Sequence, residues 1–487
     1  MSGLTLLGLG PGHPHQLTCE ARDVLAQASE LWVRTRQHPV LEALPPSLTI
    51  HSFDAYYEEA ERFEEVYQRI VEKVWELAQR PEGVIYAVPG HPFVAEATCP
   101  LLAKRAKESG MPLRIVSGMS FLEPTFAALQ LDPYPRLYLV DALLLSDAHI
   151  PPLPPDVPIL VAQIYSRRVA AEVKTTLNTI YPDEHLVYLV HAAGTSAEKV
   201  EALPLYEIDR RPSIGLLTSL YVPPLEEGTS FEAFQEIVAH LRAPEGCPWD
   251  RQQTHQSLRT HLLQEAYEVL EAIDAENMEA LREELGDLLL QIVLQAQIAM
   301  EEGEFNINQV IQGIYRKIIR RHPHVFGDLK VANEQEVLAN WEKFKAEERA
   351  INGEAERGLL DGVPQALPAL TQAQEYQARA ARVGFDWPQI DGVVEKIWEE
   401  IQELRHAEDG PRLGEEFGDL LFALVNLARW KGIDAESALR KANVRFRQRF
   451  AYIEQEARRR GVSLADLSLQ EMDDLWQQAK EIEKRTR

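Results

Sequence analysis

Carboxylates recur at a fixed spacing in the C-terminal half of this chain of 487 residues. Glu265 and Glu268 are three residues apart, and Glu284 and Asp287 repeat that spacing farther along the chain. Residues at i and i+3 share one face of a helix, where like charges repel each other by about 0.2–0.5 kcal/mol. A helical hairpin that brings all four carboxylates together therefore needs a compensating cation.

The types of donor indicate which cation that would be. Carboxylate oxygens without nearby histidine or cysteine ligands favour Mg²⁺, with Mn²⁺ as the alternative, over zinc. Mg²⁺ keeps part of its water shell in proteins and takes phosphate oxygens as further ligands. The spacing thus predicts a metal site whose substrate carries phosphate groups.

The same pattern returns later in the chain as a second set of acids: Glu400, Glu403, Glu416 and Asp419. A single pair of glutamates at this spacing is usually a solvated helix face. Two pairs in succession, repeated as a whole, favour the metal interpretation and indicate duplication of an entire domain. Gly286 and Gly418 precede the aspartates and would let a neighbouring helix or a ligand approach closely.

A third helical segment in each copy contains cations at i and i+4. These are Lys317 and Arg321 in the first copy and Arg445 and Arg449 in the second. Taken alone, such pairs are commonly ordinary surface charges. Beside a Mg²⁺ site they would suit the negative charge of a departing pyrophosphate.

The chain contains two kinds of segment, and the acids and cations described above all lie in the second kind. In the N-terminal half, short β-rich apolar runs such as VIYAVPG alternate with helical stretches, whereas beyond Pro223-Pro224 long segments of 3.6-residue period continue to the C-terminus. A glycine-containing connector over residues 351–364 divides the helical half into two pieces. The expected fold is multidomain, with an α/β domain followed by two all-α helical bundles, over residues 1–224, 231–350 and 363–487.

Charge and composition restrict the partners. The chain has 76 acidic and 50 basic residues and a net charge of −26, which argues against a nucleic-acid polymer as partner. The three cysteines form no CxxC pair, which is typical of a reducing cytoplasm, and each is expected to be a buried thiol. Because no apolar run reaches the roughly 18 residues that cross a bilayer, we expect a cytoplasmic protein without a membrane partner.

Glycines follow predicted strands in the N-terminal domain. The opening segment LLGLGPGHP contains three of them, and the stretches YAVPGHPFVAE and IVSGMSFLEP contain similar turns. Glycine permits a positive φ and close backbone contact with a ligand, although such a turn is as often purely structural. The candidate ligand-contacting residues are Gly8, Gly10, Gly12, Pro89, Gly90, Ser117 and Gly118.

The acid sets resemble the EExxE…ExxD signature of MazG-type nucleoside triphosphate pyrophosphohydrolases, over about residues 231–487. The stretches GCPWDRQQTHQSL and LVNLARWKGID are similar to family segments as well. The resemblance implies that all eight acids bind Mg²⁺ and that Arg445, Arg449 and Trp476 contact substrate. It also implies attack of water on the α-phosphorus of a nucleoside triphosphate, with pyrophosphate leaving.

The two copies differ at the residue that leads this signature. The second copy has Glu399 there, whereas the first has Gln264. If this acid positions the attacking water, the second copy is the working site and the first is slow or inactive while still able to bind metal. Two tryptophans, which are more often core residues, are candidates for a wall against the base: Trp341 and Trp476.

The glycine-containing stretches resemble the tetrapyrrole methylase superfamily, over about residues 4–224. This resemblance implies a site for S-adenosylmethionine. His91, in the segment PGHP, occupies a position where much of that superfamily has an acidic residue. The domain therefore either binds this cofactor or another small ligand, or serves as a scaffold that dimerises and positions the hydrolase.

Three functions remain open from the sequence. The duplicated acids favour a Mg²⁺-dependent hydrolase of standard or damaged nucleoside triphosphates, which would clean the nucleotide pool. One alternative is an S-adenosylmethionine-dependent methyltransferase regulated by its helical half, and another is a nucleotide sensor without turnover. A helical hairpin with a polar metal face does not close a core alone, so we expect it to pack against the other copy or a homodimer partner.

Overall fold

The structure is a computed structural model and describes residues 3–59, 63–331, 333, 336, 337, 340, 344, 358–407 and 410–486. The chain divides into two compact units, over residues 1–251 and 252–487. The first unit is α/β and the described part of the second is helical, so the predicted fold class is confirmed. Trp341, one of the two predicted wall residues, lies outside the described residues.

A parallel sheet forms the first part of the N-terminal unit. Its strands are β1 (Leu4–Gly8), β2 (Glu30–Val33), β3 (Thr49–Ser52), β4 (Val84–Val88) and β5 (Leu113–Val116), in the spatial order β3-β2-β4-β1-β5. The helices between them are α1 (Cys19–Gln27), α2 (Asp54–Glu59), α3 (Phe63–Ala78) and α4 (Thr98–Ser109). Separate apolar clusters cover the two faces of the sheet, which explains why β1 reads as a nearly continuous apolar run.

A mixed sheet follows. Its strands are β6 (Tyr138–Asp141), β7 (Ile159–Ala162), β8 (Leu186–His191), β9 (Lys199–Pro204) and β10 (Thr218–Val222), in the order β6-β7-β10-β8-β9. Only β6 and β7 pair in parallel, and the other neighbours are antiparallel. The helices of this part are α5 (Leu122–Leu129), α6 (Ala142–Ser146) and α7 (Arg167–Leu177), followed by α8 (Phe231–Arg242) and α9 (Pro248–Gln252). Because α8 falls within residues 1–251, the predicted domain boundary at residue 224 stays a prediction.

The helical unit contains two similar hairpins. The first consists of α10 (Arg259–Asp274) and α11 (Met278–Glu301), followed by α12 (Ile307–Arg321) and α13 (Pro323–Phe326). After α14 (Ala369–Arg382), the second consists of α15 (Ile390–His406) and α16 (Gly410–Trp430), followed by α17 (Ala435–Arg460) and α18 (Leu469–Thr486). Helix α11 begins where the Asn277 side chain accepts hydrogen bonds from the backbone of Glu279 and Ala280, so the hairpin turns within three residues.

Two further expectations have outcomes in the structure. Among the described helices, none combines the length and apolar character that crossing a bilayer requires. Cys99 is buried as expected, but Cys19 is exposed and Cys247 is half-buried, so the expectation of three buried thiols is wrong for those two. Cys19 is the first residue of α1, where its side chain faces solvent.

Candidate metal sites

The first hairpin brings three of its four predicted acids together. Glu265 and Glu268 on α10 and Glu284 on α11 each place a carboxylate oxygen within 4.8 Å of the others, and all three side chains are half-buried. Asp287 is exposed and does not belong to this group. We call these three residues the first carboxylate cluster.

Burial and mutual repulsion shape the charge of this cluster. Burial, and then the neighbouring Glu268, raise the pKa of Glu265. Burial also raises the pKa of Glu284, with the charges of Glu268 and Asp287 adding to the effect. Within the described residues, no salt bridge joins these acids to a basic side chain, and the Gln264 amide donates a hydrogen bond of 3.2 Å to Glu268.

The second hairpin also brings three acids together, but a different three. Glu400 on α15 and Glu416 and Asp419 on α16 each place a carboxylate oxygen within 4.8 Å of the others. Glu403 is exposed and outside this group, although its hydrogen bond with Glu416 raises the pKa of Glu403. We call Glu400, Glu416 and Asp419 the second carboxylate cluster.

A lysine lies beside the second cluster and was not predicted from the sequence. The Lys396 ammonium group is 2.7 Å from Glu400 Oε1 and 2.9 Å from Glu399 Oε1. Its hydrogen bonds with Glu400 and Glu399 raise the pKa of Lys396. The signal in the sequence is its position one helical turn before these two acids.

Glu400 shows why this cluster suits a cation. Its side chain is almost fully buried, with 4% of the residue exposed, and its Oε2 atom has no hydrogen-bond partner in the described structure. An unpaired buried carboxylate oxygen is energetically costly, because its lost hydration is not replaced. The oxygen-rich donor set and this unpaired atom fit a hard divalent cation such as Mg²⁺.

The two glycines that precede the aspartates do not pack closely. A Cβ atom built on Gly286 or Gly418 would meet no described atom within 4 Å. The expectation that these glycines admit a neighbouring helix is therefore wrong for the described residues. Approach of a ligand stays a prediction.

The predicted cations lie in different surroundings. On α12, Lys317 is exposed and Arg321 is half-buried. On α17, Arg445 and Arg449 are both half-buried. The Arg449 guanidinium group lies 5.4 Å from the centroid of the Trp476 ring on α18.

Trp476 and Arg449 belong to a local aromatic and ionic group. The Trp476 ring packs against Phe446, with 5.2 Å between ring centroids. The Nε and Nη2 atoms of Arg449 donate hydrogen bonds of 3.0 and 2.8 Å to Glu483 Oε2. Glu483, which was not predicted from the sequence, lies on α18 about two helical turns beyond Trp476.

The predicted glycines of the N-terminal unit meet where strands β1, β4 and β5 end. A Cβ atom on Gly8 would lie 2.5 Å from both the Gly118 nitrogen and the Gly90 oxygen, so glycine is required for this close approach. Gly10 pairs with Gly90 in an antiparallel bridge. Gly90 has a φ of 69°, and a Cβ atom built on it would meet its nearest neighbour, the Ser120 Cα atom, at 4.0 Å, so the space beside Gly90 is open where that beside Gly8 is not.

The other predicted residues of this region complete the turns. The Ser117 carbonyl accepts a hydrogen bond of 3.0 Å from Thr18 Oγ1. Gly12 lies beside Thr195, and Pro89 joins the end of β4 to Gly90. These contacts are all made within the protein, so contact with a ligand stays a prediction.

A buried histidine and an ion pair near these strand ends were not predicted from the sequence. His38 is 6% exposed, and its Nε2 atom lies 3.0 Å from the Gly10 carbonyl oxygen, while its buried Nδ1 atom has no partner in the described structure. Burial lowers the pKa of His38. Arg34 and the buried Glu96 form an ion pair of 2.9 Å after strands β2 and β4.

Both units match known families. The family model of tetrapyrrole (corrin/porphyrin) methylases matches residues 3–209, and that of the MazG nucleotide pyrophosphohydrolase domain matches residues 253–326. The second match contains the first carboxylate cluster. The second cluster lies beyond it.

One relative matches the whole chain, and two others match about half of it. YabN of Bacillus subtilis, described as an uncharacterised protein, is 46% identical over 492 residues, which are 99% of each chain. The nucleoside triphosphate pyrophosphohydrolase/pyrophosphatase MazG of Thermotoga maritima is 46% identical over 255 residues, 52% of this chain and 97% of that protein. The nucleoside triphosphate pyrophosphohydrolase of Escherichia coli is 48% identical over 250 residues, 50% of this chain and 94% of that protein. The chain therefore belongs to the MazG family, with a tetrapyrrole methylase domain before its MazG domain.

Proposed function

We propose that this protein hydrolyses nucleoside triphosphates to nucleoside monophosphates and pyrophosphate in a Mg²⁺-dependent reaction. The observation that carries the proposal is the convergence of three carboxylates from two helices in each hairpin, within 4.8 Å of one another. The names of the relatives from T. maritima and E. coli, which state this activity, support it.

The acids of each set would hold the metal. Besides the two clusters, the exposed neighbours Asp287 and Glu403 would complete the sets on binding. When bound, Mg²⁺ supplies positive charge to the phosphate oxygens and promotes ionisation of water. The oxygen of water attacks the α-phosphorus, the bond from that phosphorus to the bridging oxygen breaks, and pyrophosphate carries away the electron pair.

The other residues of the second copy would orient the reactants. Glu399 would position the attacking water and accept its proton. Arg445 and Arg449 would stabilise negative charge on the departing pyrophosphate, and Trp476 would stack against the base. Lys317 and Arg321 would have the corresponding role in the first copy.

We assign the helical unit two MazG-type copies, of which the second is the working site. Each hairpin has its own carboxylate cluster. The 255-residue alignment with the T. maritima protein is longer than the family match over residues 253–326, which also supports a second copy. Glu399 is present only in the second hairpin, where the first has Gln264.

Pyrophosphate release tests the proposal. The purified chain is incubated with Mg²⁺ and a panel of ribo- and deoxyribonucleoside triphosphates, and both pyrophosphate and the monophosphate are measured. We expect release that stops with a chelator and with Glu403→Gln but persists with Glu395→Gln, an exposed acid of the same helix outside the set. Failure to release pyrophosphate from any triphosphate would remove the proposal.

A homodimer is part of this proposal. The described helices expose large apolar side chains, such as Trp398 at 62%, Phe417 at 51% and Ile314 at 50%. Exposed apolar surface of this kind is typical of faces that another protein covers. A light-scattering mass equal to one chain would contradict the dimer.

We also propose that the N-terminal unit binds S-adenosylmethionine. The methylase family match over residues 3–209 and the open space beside Gly90 at the end of β4 support this binding. Calorimetric titration tests it, and we expect saturable binding. No heat at millimolar cofactor would leave the unit as a scaffold.

A further inference from the structure

The last helix provides the acidic partner of one candidate substrate residue. We infer that Glu483 on α18 is a positioning residue, which orients the Arg449 guanidinium group of α17 toward the phosphate groups of the substrate. This inference rests on the proposed function, because it assigns a partner to a residue of that site. It concerns orientation and gives Glu483 no contact with substrate.

The geometry of the pair fixes the guanidinium group in two ways. One edge is held by Glu483, whose Oε2 atom accepts hydrogen bonds of 3.0 Å from Nε and 2.8 Å from Nη2. One face is covered by Trp476, whose ring centroid lies 5.4 Å from the guanidinium carbon. Trp476 is held in turn by Phe446.

The remaining edge is suited to an anion. A guanidinium group has five N–H donors in a rigid planar fork, and two adjacent nitrogens can bind two phosphate oxygens at once. In the part of the chain that the structure describes, the Nη1 atom of Arg449 donates to no protein acceptor. The carboxylate and the indole therefore leave the Nη1–Nη2 edge for a ligand.

The neighbouring cation on α17 has no comparable acidic partner among the described residues. Arg445 lies one turn earlier on α17, and no described acid forms a salt bridge with it. Arg449 and Glu483 have side chains only 21% and 25% exposed, so their pair is partly shielded from water. A carboxylate reduces the local positive charge, so its contribution is to orientation and not to attraction.

A mutant cycle tests the inference. We expect Glu483→Ala to lower kcat about tenfold while KM changes less than about twofold, because misorientation affects charge that develops during the reaction. Glu483→Gln keeps an acceptor oxygen, so its kcat should lie between those of the wild type and Glu483→Ala. In an Arg449→Ala background, Glu483→Ala should have no further effect on kcat, since it acts through Arg449.

The control is Glu481→Ala, which breaks a 2.7 Å ion pair with Lys484 on the same helix and should leave kcat unchanged. The inference would be overturned if Glu483→Ala still lowered kcat in the Arg449→Ala background. It would also be overturned if Glu481→Ala and Glu483→Ala lowered kcat equally. An inactive wild type would instead contradict the proposed function. The same cycle, measured as calorimetric binding of a non-hydrolysable α,β-methylene triphosphate with Mg²⁺, then still tests the Arg449–Glu483 coupling.

Discussion

The two hairpins contain acids of the same type at the same spacing within each helix, yet the carboxylate clusters that these acids form have different neighbours. In the first, Gln264 is neutral and donates a hydrogen bond to Glu268, and no described basic side chain pairs with the cluster. In the second, the Lys396 ammonium group bridges Glu399 and Glu400. Acid spacing alone therefore does not determine the charge that each hairpin presents.

This difference changes how each cluster tolerates its own repulsion without metal. In the first, burial and neighbouring acids raise the pKa of Glu265 and Glu284, and no described basic side chain offsets the repulsion. In the second, an internal cation compensates Glu400, whose Oε2 atom is nevertheless buried and unpaired. A metal ion would offset the repulsion of the first cluster directly, whereas in the second it would have to displace Lys396.

Removing one acid from each cluster is the strongest test of their difference. We expect Glu400→Gln to lower kcat about 10³-fold, because the charge that a metal supplies contributes several kcal/mol and roughly 1.4 kcal/mol is tenfold. Glu265→Gln, the matched change in the first cluster, should lower kcat less than about twofold. Pyrophosphate release under saturating Mg²⁺ measures both, and equal losses would mean that both copies turn over.

Restoring the missing acid tests why the first copy would be slow. In a Glu400→Gln background, which silences the second copy, Gln264→Glu should raise the residual rate at least about tenfold. We expect a gain smaller than the roughly 10²–10⁴-fold rate contribution of a well-placed general base. Gln264→Ala is the control, because it removes the amide without adding a base. No gain from the new glutamate would show that another difference makes the first copy slow.

Much of the fold could be predicted because its signals are local. Short apolar runs predicted eight of the ten strands in the described residues, and the 3.6-residue period predicted the helical hairpins. Strands β3 and β9 were missed, since their more polar runs, TIHS (Thr49–Ser52) and KVEALP (Lys199–Pro204), form only partly buried edge strands. An edge strand is identified by its neighbour more than by its own side chains.

The candidate sites were predictable only in part. Spacing along a helix placed Glu265 and Glu268 on one face, but it could not show which member of each set would lie outside its cluster. Asp287 and Glu403 lie outside the clusters, and they differ in position, since Asp287 is the last acid of the first set and Glu403 the second acid of the second set. The partnership of Arg449 with Glu483 depends on the packing of α17 against α18, which no local pattern indicates.

Removing the internal cation tests the effect of Lys396 on metal binding. In a Glu265→Gln background, Lys396→Met should tighten Mn²⁺ binding about fivefold, since roughly 1 kcal/mol is typical of one partly exposed ion pair. Electron paramagnetic resonance of free Mn²⁺ measures the affinity. Lys73→Met, which breaks an ion pair with Glu76 in the N-terminal unit and removes a lysine of similar exposure (35% against 36%), should leave it unchanged. Unchanged or weaker binding in Lys396→Met would show that the ammonium group does not compete with metal.

The smallest expected effect concerns the stability of the first cluster without metal. Since its folded-state pKa is raised, Glu265 contributes stability that is present below its unfolded pKa and is lost as pH rises through its folded pKa. With a chelator present, Glu265→Gln should therefore raise the Tm of the helical unit by about 2 °C at about pH 7.5 and not at about pH 4. Calorimetry measures the difference, with the exposed Glu304→Gln as control. An equal rise at both pH values would exclude carboxylate repulsion as its cause, because the repulsion requires ionised side chains.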